Sequence, residues 1–172
     1  MRLHIVLLMA VLLMSKTFSA LAADPIVFIS AFSSGEKGAI HAFSFDSKAG
    51  TLKELHRTTD VESPFFLAVS PGGKFLYSID AEAFGGKDDE FVASYSVEGR
   101  SGKLKRLNRQ SDRGTASCYL DVDATGKTVV VANYSTGDVA ALPVKKDGSL
   151  GEAASYIKHE GSSVDPARQK AP

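Results

Sequence analysis

The 172-residue chain contains no tryptophan, one cysteine and six prolines. A single cysteine excludes an intrachain disulfide, so the folded state must rest on packing and hydrogen bonding. Cys118 is expected to act as a small buried apolar residue, because no His, Arg or Lys immediately flanks it to favour the thiolate. Charge of one sign is also lacking, since 20 basic and 20 acidic residues cancel formally. That balance gives no electrostatic reason to expect nucleic acid or an anionic membrane as a partner. There is no G-x-S-x-G elbow, no zinc-ligand spacing and no phosphate-binding glycine loop. Asp88-Asp89-Glu90 is a contiguous acidic run without the alternating spacing of a calcium loop, so neither metal nor cofactor is expected. Beyond the first residues, no window sustains an apolar 3.6-residue period, which argues against a helical architecture.

Only one long apolar run occurs, from Ile5 to Met14. Arg2 precedes it, polar Ser15, Lys16 and Thr17 follow, and Ala20-Leu21-Ala22 supplies an A-x-A pattern. This order predicts a secretory signal over residues 1–22, cleaved before Ala23. A helix of about ten residues rises about 15 Å, half the hydrocarbon core, which disfavours a membrane anchor. The mature residues 23–172 are therefore expected in the periplasm or outside the cell, without membrane attachment. They number roughly 150, enough for one domain with its own core.

What the chain does have is internal repetition. Ser63-Pro64-Phe65-Phe66-Leu67-Ala68-Val69-Ser70-Pro71-Gly72-Gly73-Lys74 aligns with residues 116–127 at an offset of about 53. Leu67 meets Leu120, Val69 meets Val122, and Gly73-Lys74 meets Gly126-Lys127. A second block, His41 to Asp46 followed by Gly50-Thr51-Leu52, recurs as Ala93 to Val97 followed by Gly102-Lys103-Leu104. A third copy is Ala140 to Val144 followed by Gly148-Ser149-Leu150. Each period reads as four short strands. Phe66–Ser70 and Phe75–Ile79 flank a Pro-Gly-Gly turn, Phe91–Val97 alternates as a half-buried strand, and Leu104–Leu107 opens a fourth. Four strands in about 50 residues, repeated, predict an all-β partial β-propeller of about three blades. The blades run over roughly 26–57, 63–109 and 116–158, and a turn-rich connection leads toward a further blade. A β-sandwich also has many short strands, but nothing requires it to repeat two blocks at fixed spacing.

Pro64-x-x-Leu67-Ala68-Val69-Ser70-Pro71-Gly72-Gly73-Lys74-Phe75-Leu76-Tyr77 resembles the repeat of the seven-bladed lactonase family, which includes 6-phosphogluconolactonases and carboxymuconate cyclases. Ala132-Asn133-Tyr134-Ser135-Thr136-Gly137-Asp138 and the tail from His159 to Pro172 resemble it as well. The resemblance implies a ring of about seven blades, of which this chain would be the leading part. It implies hydrolysis of a sugar lactone, or a related cycloisomerisation, with a small lactone or sugar acid as ligand. The family's catalytic histidine belongs to a His-x-His-Ser segment after the equivalent of Pro172, so no catalytic residue is assigned here. An open arc of blades exposes two apolar faces and is expected to be inactive alone. The competing reading is a non-catalytic exported scaffold that completes a ring by self-association through those faces.

In a propeller, the loops between second and third strands and those leading into the innermost strands share one face. The first set offers Asp80, Glu82, Asn133 and Tyr134; the second offers Asp112, Arg113, His159, Glu160, Arg168 and Gln169. Lactone hydrolysis needs an activated water and donors for the developing oxyanion. Arg168 suits an anionic substrate because its guanidinium forks onto carboxylate or phosphate. Asn133, Tyr134 and Gln169 complete the substrate-binding candidates. For three of them a plainer role exists: Asn133 holding a tight turn before Gly137, Tyr134 packing a blade, Arg168 pairing with Asp165. Asp80, Glu82 and the Lys87–Glu90 run are expected to be a solvated loop tip, and His159 and Glu160 solvated loop residues.

Overall fold

The computed structural model describes residues 23–81, 84–165 and 167–168. The expected signal segment, Glu82 and Gln169 lie outside the described residues. Among the described residues, eleven strands form three separate antiparallel sheets. The first contains β1 (Ile26–Ala31), β2 (Ala39–Asp46) and β3 (Thr51–Thr58) in sequential order. The second contains β4 (Pro64–Val69), β5 (Phe75–Asp80), β6 (Phe91–Glu98) and β7 (Lys103–Ser111). The third contains β8 (Ser117–Val122), β9 (Thr128–Asn133), β10 (Asp138–Pro143) and β11 (Ser155–Lys158). Each is an up-and-down meander, as a propeller blade requires, and the all-β partial propeller expected from the repeats is what the chain forms.

The blades stack face to face, and the middle one is covered on both sides. Leu76, Ala93, Tyr95 and Leu104 face the first blade and meet Ile40 and Val61. Tyr77, Ile79 and Val92 face the third blade and meet Leu120, Val129, Val131, Ala140, Leu142 and Leu150. The alternation predicted a half-buried strand over 91–97; instead residues on both faces of β6 are buried, from Val92 through Tyr95. Period-2 patterning identified the strand but not its second covering, because Ser94 is fully buried despite being polar. Its hydroxyl donates to Asn108 Oδ1 at 2.8 Å. Asn108 in turn clamps Leu150 of the next blade, accepting its N–H at 2.9 Å and donating to its carbonyl at 2.8 Å.

Strand pairing is interrupted by bulges at matching places. Between β2 and β3 the register shifts at Ala42/Phe43, leaving Leu55 extra; between β6 and β7 it shifts at Ser94/Tyr95, leaving Leu107 extra. The innermost strands β4 and β8 also shift near their starts, between Pro64 and Leu67 and between Ser117 and Tyr119. The expected strand at Phe66 accordingly begins earlier, at Pro64, because a bulge lets the chain keep pairing past the irregularity. Cys118 is the additional residue of the second such bulge. It is half-buried rather than buried, with Sγ 3.6 Å from the Ala132 carbonyl.

The contact between the second and third blades leaves no room at Gly148, whose φ is +86°. A Cβ there would lie 2.2 Å from the Phe75 ring. Gly148→Ala is expected to lose about 2–4 kcal/mol in denaturant unfolding, combining left-handed strain with overpacking. Gly50→Ala, at φ +67° with nothing within 4 Å, should lose only about 1–2 kcal/mol. Equal losses would show that the blade contact is looser than described.

Candidate functional site at the loop-bearing end

Registers place the starts of the innermost strands and the ends of the second strands together. Pro64 pairs with Asp80, which pairs with Phe91, which pairs with Ser111. In the third blade Ser117 pairs with Asn133, Asn133 with Asp138 and Asp138 with Lys158. One end of the arc thus carries the loops expected to hold function. Three polar clusters organise it.

The first centres on Asp80, 1% exposed at the end of β5. Its Oδ2 accepts from Arg106 Nη2 at 3.1 Å and lies 3.9 Å from Arg109 Nη1. Arg106 also reaches Asp60 at 3.8 Å and lies over the Tyr95 ring, while Arg109 stacks 4.0 Å above Phe91. Residues three apart on a regular strand point to opposite faces. The extra Leu107 corrects the phase, so Arg106 pairs with Tyr95 and Arg109 with Ala93 on one face. Burial pushes the Asp80 carboxyl up, and the two guanidinium groups pull it back. Asp80 was expected in a solvated loop tip; it is instead a buried ion-pair partner, since cations from β7 compensate its desolvation.

The second cluster joins the middle blade to the third. Glu90, also expected at the loop tip, is buried, and its carboxylate accepts three backbone N–H groups: Gly85 at 2.9 Å, Ala116 at 3.0 Å and Ser117 at 2.8 Å. Asp112 is fully buried beside it, accepting the Gly114 N–H at 3.1 Å and the Ser117 hydroxyl at 2.5 Å. Burial pushes the Asp112 carboxyl up to about 6, against the lowering effect of those hydrogen bonds. Arg113 is exposed at φ +64° and Ala116 is buried at φ +54°. Ser63, which matches Ala116 in the repeat, has φ +41°, so left-handed residues recur where the chain turns into an innermost strand.

The third cluster holds Asn133. Its side chain is buried, with Nδ2 donating to Asp138 Oδ1 at 2.7 Å, and Tyr156 donates to Asp138 Oδ2 at 2.9 Å. The Asn133 carbonyl accepts the Gly137 N–H, closing the tight turn. A Cβ on Gly114 would fall 2.0 Å from Asn133 Nδ2, so the loop before β8 sits directly on this amide. Asn133 occupies the repeat position of Asp80, so a buried polar group closes the second strand of both blades with different partners.

Tyr134 stands beside this cluster with 77% of its surface exposed, its backbone N–H bound to the Ala116 carbonyl at 3.0 Å. Arg168 is exposed, and its backbone N–H donates to the Asp165 carbonyl at 3.1 Å. Its side chain makes no ion pair with Asp165 among the described residues. His159 and Glu160 are exposed. Arg106, Arg109 and the anchoring role of Glu90 were missed in the sequence. The available signal was the recurrence of an apolar residue, Leu55 and Leu107, about 52 positions apart where alternation breaks.

A radial run of antiparallel meanders with a loop-bearing polar end defines a β-propeller protein. More narrowly, the chain belongs to the seven-bladed β-propeller lactonase family, whose model matches residues 26–172. It is 31% identical over 144 residues to the 6-phosphogluconolactonase of Bacillus subtilis, covering 83% of this chain and 40% of that protein. Superposition on a solved Bacteroides fragilis structure, proposed as a 6-phosphogluconolactonase, gives a TM-score of 0.77 at 33% identity. That match covers 90% of this chain and 42% of the other. The periplasmic gluconolactonase of Pseudomonas aeruginosa matches with a TM-score of 0.68 at 25% identity, over 83% of this chain and 41% of that one. The chain therefore spans about two fifths of the length of these relatives.

Asp112 generates a pH signature. An acid whose folded pKa is raised stabilises the fold while both states are protonated, and that contribution is lost as pH rises through the folded pKa. Between about pH 4 and pH 7, the parent should lose about 2–3 kcal/mol that Asp112→Asn retains. Urea melts of both proteins across that range check this. Parallel profiles would mean that Asp112 is ionised and accommodated.

Proposed function

We propose that the chain forms part of the ligand-binding end of an exported sugar-lactone hydrolase. The observation that carries this reading is the exposed Tyr134, mounted on buried polar anchors at the loop-bearing end. The named relatives support the lactone class, and the periplasmic gluconolactonase supports the exported location. Water attacks the ring carbonyl, the ring C–O bond breaks, and a hydroxy acid results. Negative charge develops on the carbonyl oxygen and then on the product carboxylate. Tyr134 and Arg168 are exposed donors suited to these groups, and Gln169 adjoins Arg168 in sequence. Asn133 acts as the positioning group next to Tyr134, its Nδ2 donating to Asp138 and its buried Oδ1 without a hydrogen-bond partner among the described residues.

A second reading, assembly as a non-catalytic scaffold, is favoured by the apolar side chains at the two ends of the arc. Leu52 and Leu55 on β3 and Tyr156 and Ile157 on β11 are exposed. The same exposure is the reason to expect little activity from the 172-residue chain by itself. Its lactone hydrolysis should not exceed the spontaneous rate.

The hydrolase reading is tested in a chimera in which residues 26–172 replace the matching part of the Bacillus subtilis relative. A cooperatively melting chimera should hydrolyse an aldonolactone, and Arg168→Ala and Tyr134→Phe should each lower kcat/KM by about tenfold or more. A folded chimera without turnover would count against a hydrolase. Discrete oligomers of the unmodified chain, observed by light scattering, would favour the scaffold.

A further inference from the structure

Five aromatic rings form a connected strip at the loop-bearing end, and neither the ion pairs nor the polar clusters use it. Phe32 follows β1, Phe65 and Phe66 open β4, Phe84 lies in the loop after β5, and Tyr119 lies on β8. Phe32, Phe65 and Phe84 contact one another with centroids 5.1–5.7 Å apart. Phe65 continues to Phe66 at 5.5 Å, and Phe66 to Tyr119 at 5.2 Å, mostly edge to face. Phe66 and Tyr119 are repeat equivalents, so neighbouring innermost strands each present a ring at the same height. Phe32, Phe66, Phe84 and Tyr119 remain 37–52% exposed. Water-facing rings in contact across two blade junctions form a larger apolar surface than scattered residues would.

Separate polar contacts hold the strip in place. Ser30 Oγ donates to the Phe65 carbonyl at 2.7 Å, fixing β4 against β1 beneath Phe32 and Phe65. Glu90 accepts the Gly85 N–H, pinning the chain next to Phe84. Rings fixed before binding lose little conformational freedom on contact with a ligand.

Charge selects the ligand. The loops at 59–63, 84–90 and 112–116 contribute exposed or half-exposed Asp60, Glu62, Asp88 and Asp89, against Lys87, Arg113 and the Arg106 that reaches Asp60 at 3.8 Å. The loops that lead into the strip thus carry a small excess of acid, which disfavours a phosphate on the rings relative to an uncharged sugar. We propose that this strip is a stacking platform for the C–H face of a neutral, unphosphorylated sugar ring. The proposal rests on the sugar-lactone reading and deepens it, by assigning this end of the chain to neutral lactones rather than phosphorylated ones.

Binding separates the two ideas, because a glycoside cannot be hydrolysed as a lactone. Methyl β-glucopyranoside and its 6-phosphate are titrated against the 172-residue chain, followed by saturation-transfer NMR. The neutral ring should bind at least about tenfold more tightly than the phosphate. Phe66→Ala and Tyr119→Ala, both at exposed rings, should each weaken it about five- to tenfold with unchanged melting. Phe66→Tyr, which keeps the ring, should restore binding. Tighter binding of the phosphate, absence of binding by the neutral ring, or alanine variants that bind as the parent does would each overturn the platform. So would variants that dissolve a self-associated state without altering sugar binding. If the glycoside binds as expected while the chimera hydrolyses no lactone, the platform stands and the hydrolase reading falls. If the chimera prefers a phosphorylated lactone and tolerates Phe66→Ala, the reverse holds.

Discussion

Burial of the middle blade on both faces is the constraint from which the rest of the structure follows. A sheet covered once can send its polar residues to solvent, but β5 and β6 cannot. Leu76 and Tyr95 fill one side, Tyr77 and Val92 the other, and every polar side chain between them needs a partner within the protein. Ser94 meets this demand through Asn108, and Asn108 meets it through the backbone of the next blade. Ser94 and Asn108 thus stitch the middle blade to the third, while the Tyr77 and Tyr95 hydroxyls are buried without a hydrogen-bond partner among the described residues.

The same demand shapes the loop-bearing end. Glu90 substitutes for missing strand pairing by gathering backbone N–H groups from two segments. Asp112 shares Ser117 with it, and Asn133 and Asp138 lock the neighbouring turn. These residues are all buried among the described residues. Their work is to hold what stands above them: Tyr134 on one cluster, and the Phe84 loop on another.

The blade order was legible in the sequence because two blocks recur at nearly one period, and such repetition survives only if each copy packs on its neighbours. Strand ends were less legible, since bulges add residues that alternation counts as errors. The buried acids were misjudged for a physical reason. Asp80 and Glu90 sit in or beside acidic, glycine-containing sequence that reads as a solvated tip, while their partners lie far along the chain. Arg106 lies 26 residues from Asp80, and Ala116 lies 26 residues from Glu90. Of the binding candidates, Tyr134 and Arg168 are exposed, whereas the amide of Asn133 was legible chiefly through its turn. The aromatic strip escaped notice because only Phe66 and Tyr119 align in the repeat; Phe32 and Phe84 lie at different positions in the loops after β1 and β5.

The matching bulges at Leu55 and Leu107 bear on how such a chain can change over time. In the first two blades the outer strand carries, besides its apolar positions, a one-residue phase correction that aims its side chains, whereas β10 and β11 pair without a register shift. Point substitutions along that strand leave the correction intact, whereas loss or gain of one residue within it would turn Arg106 and all residues beyond to the wrong side. Length variation is therefore channelled into the turns, where loops such as the one carrying Phe84 can lengthen without disturbing the frame. Diversity of recognition and conservation of architecture are in this way assigned to different parts of the same repeat.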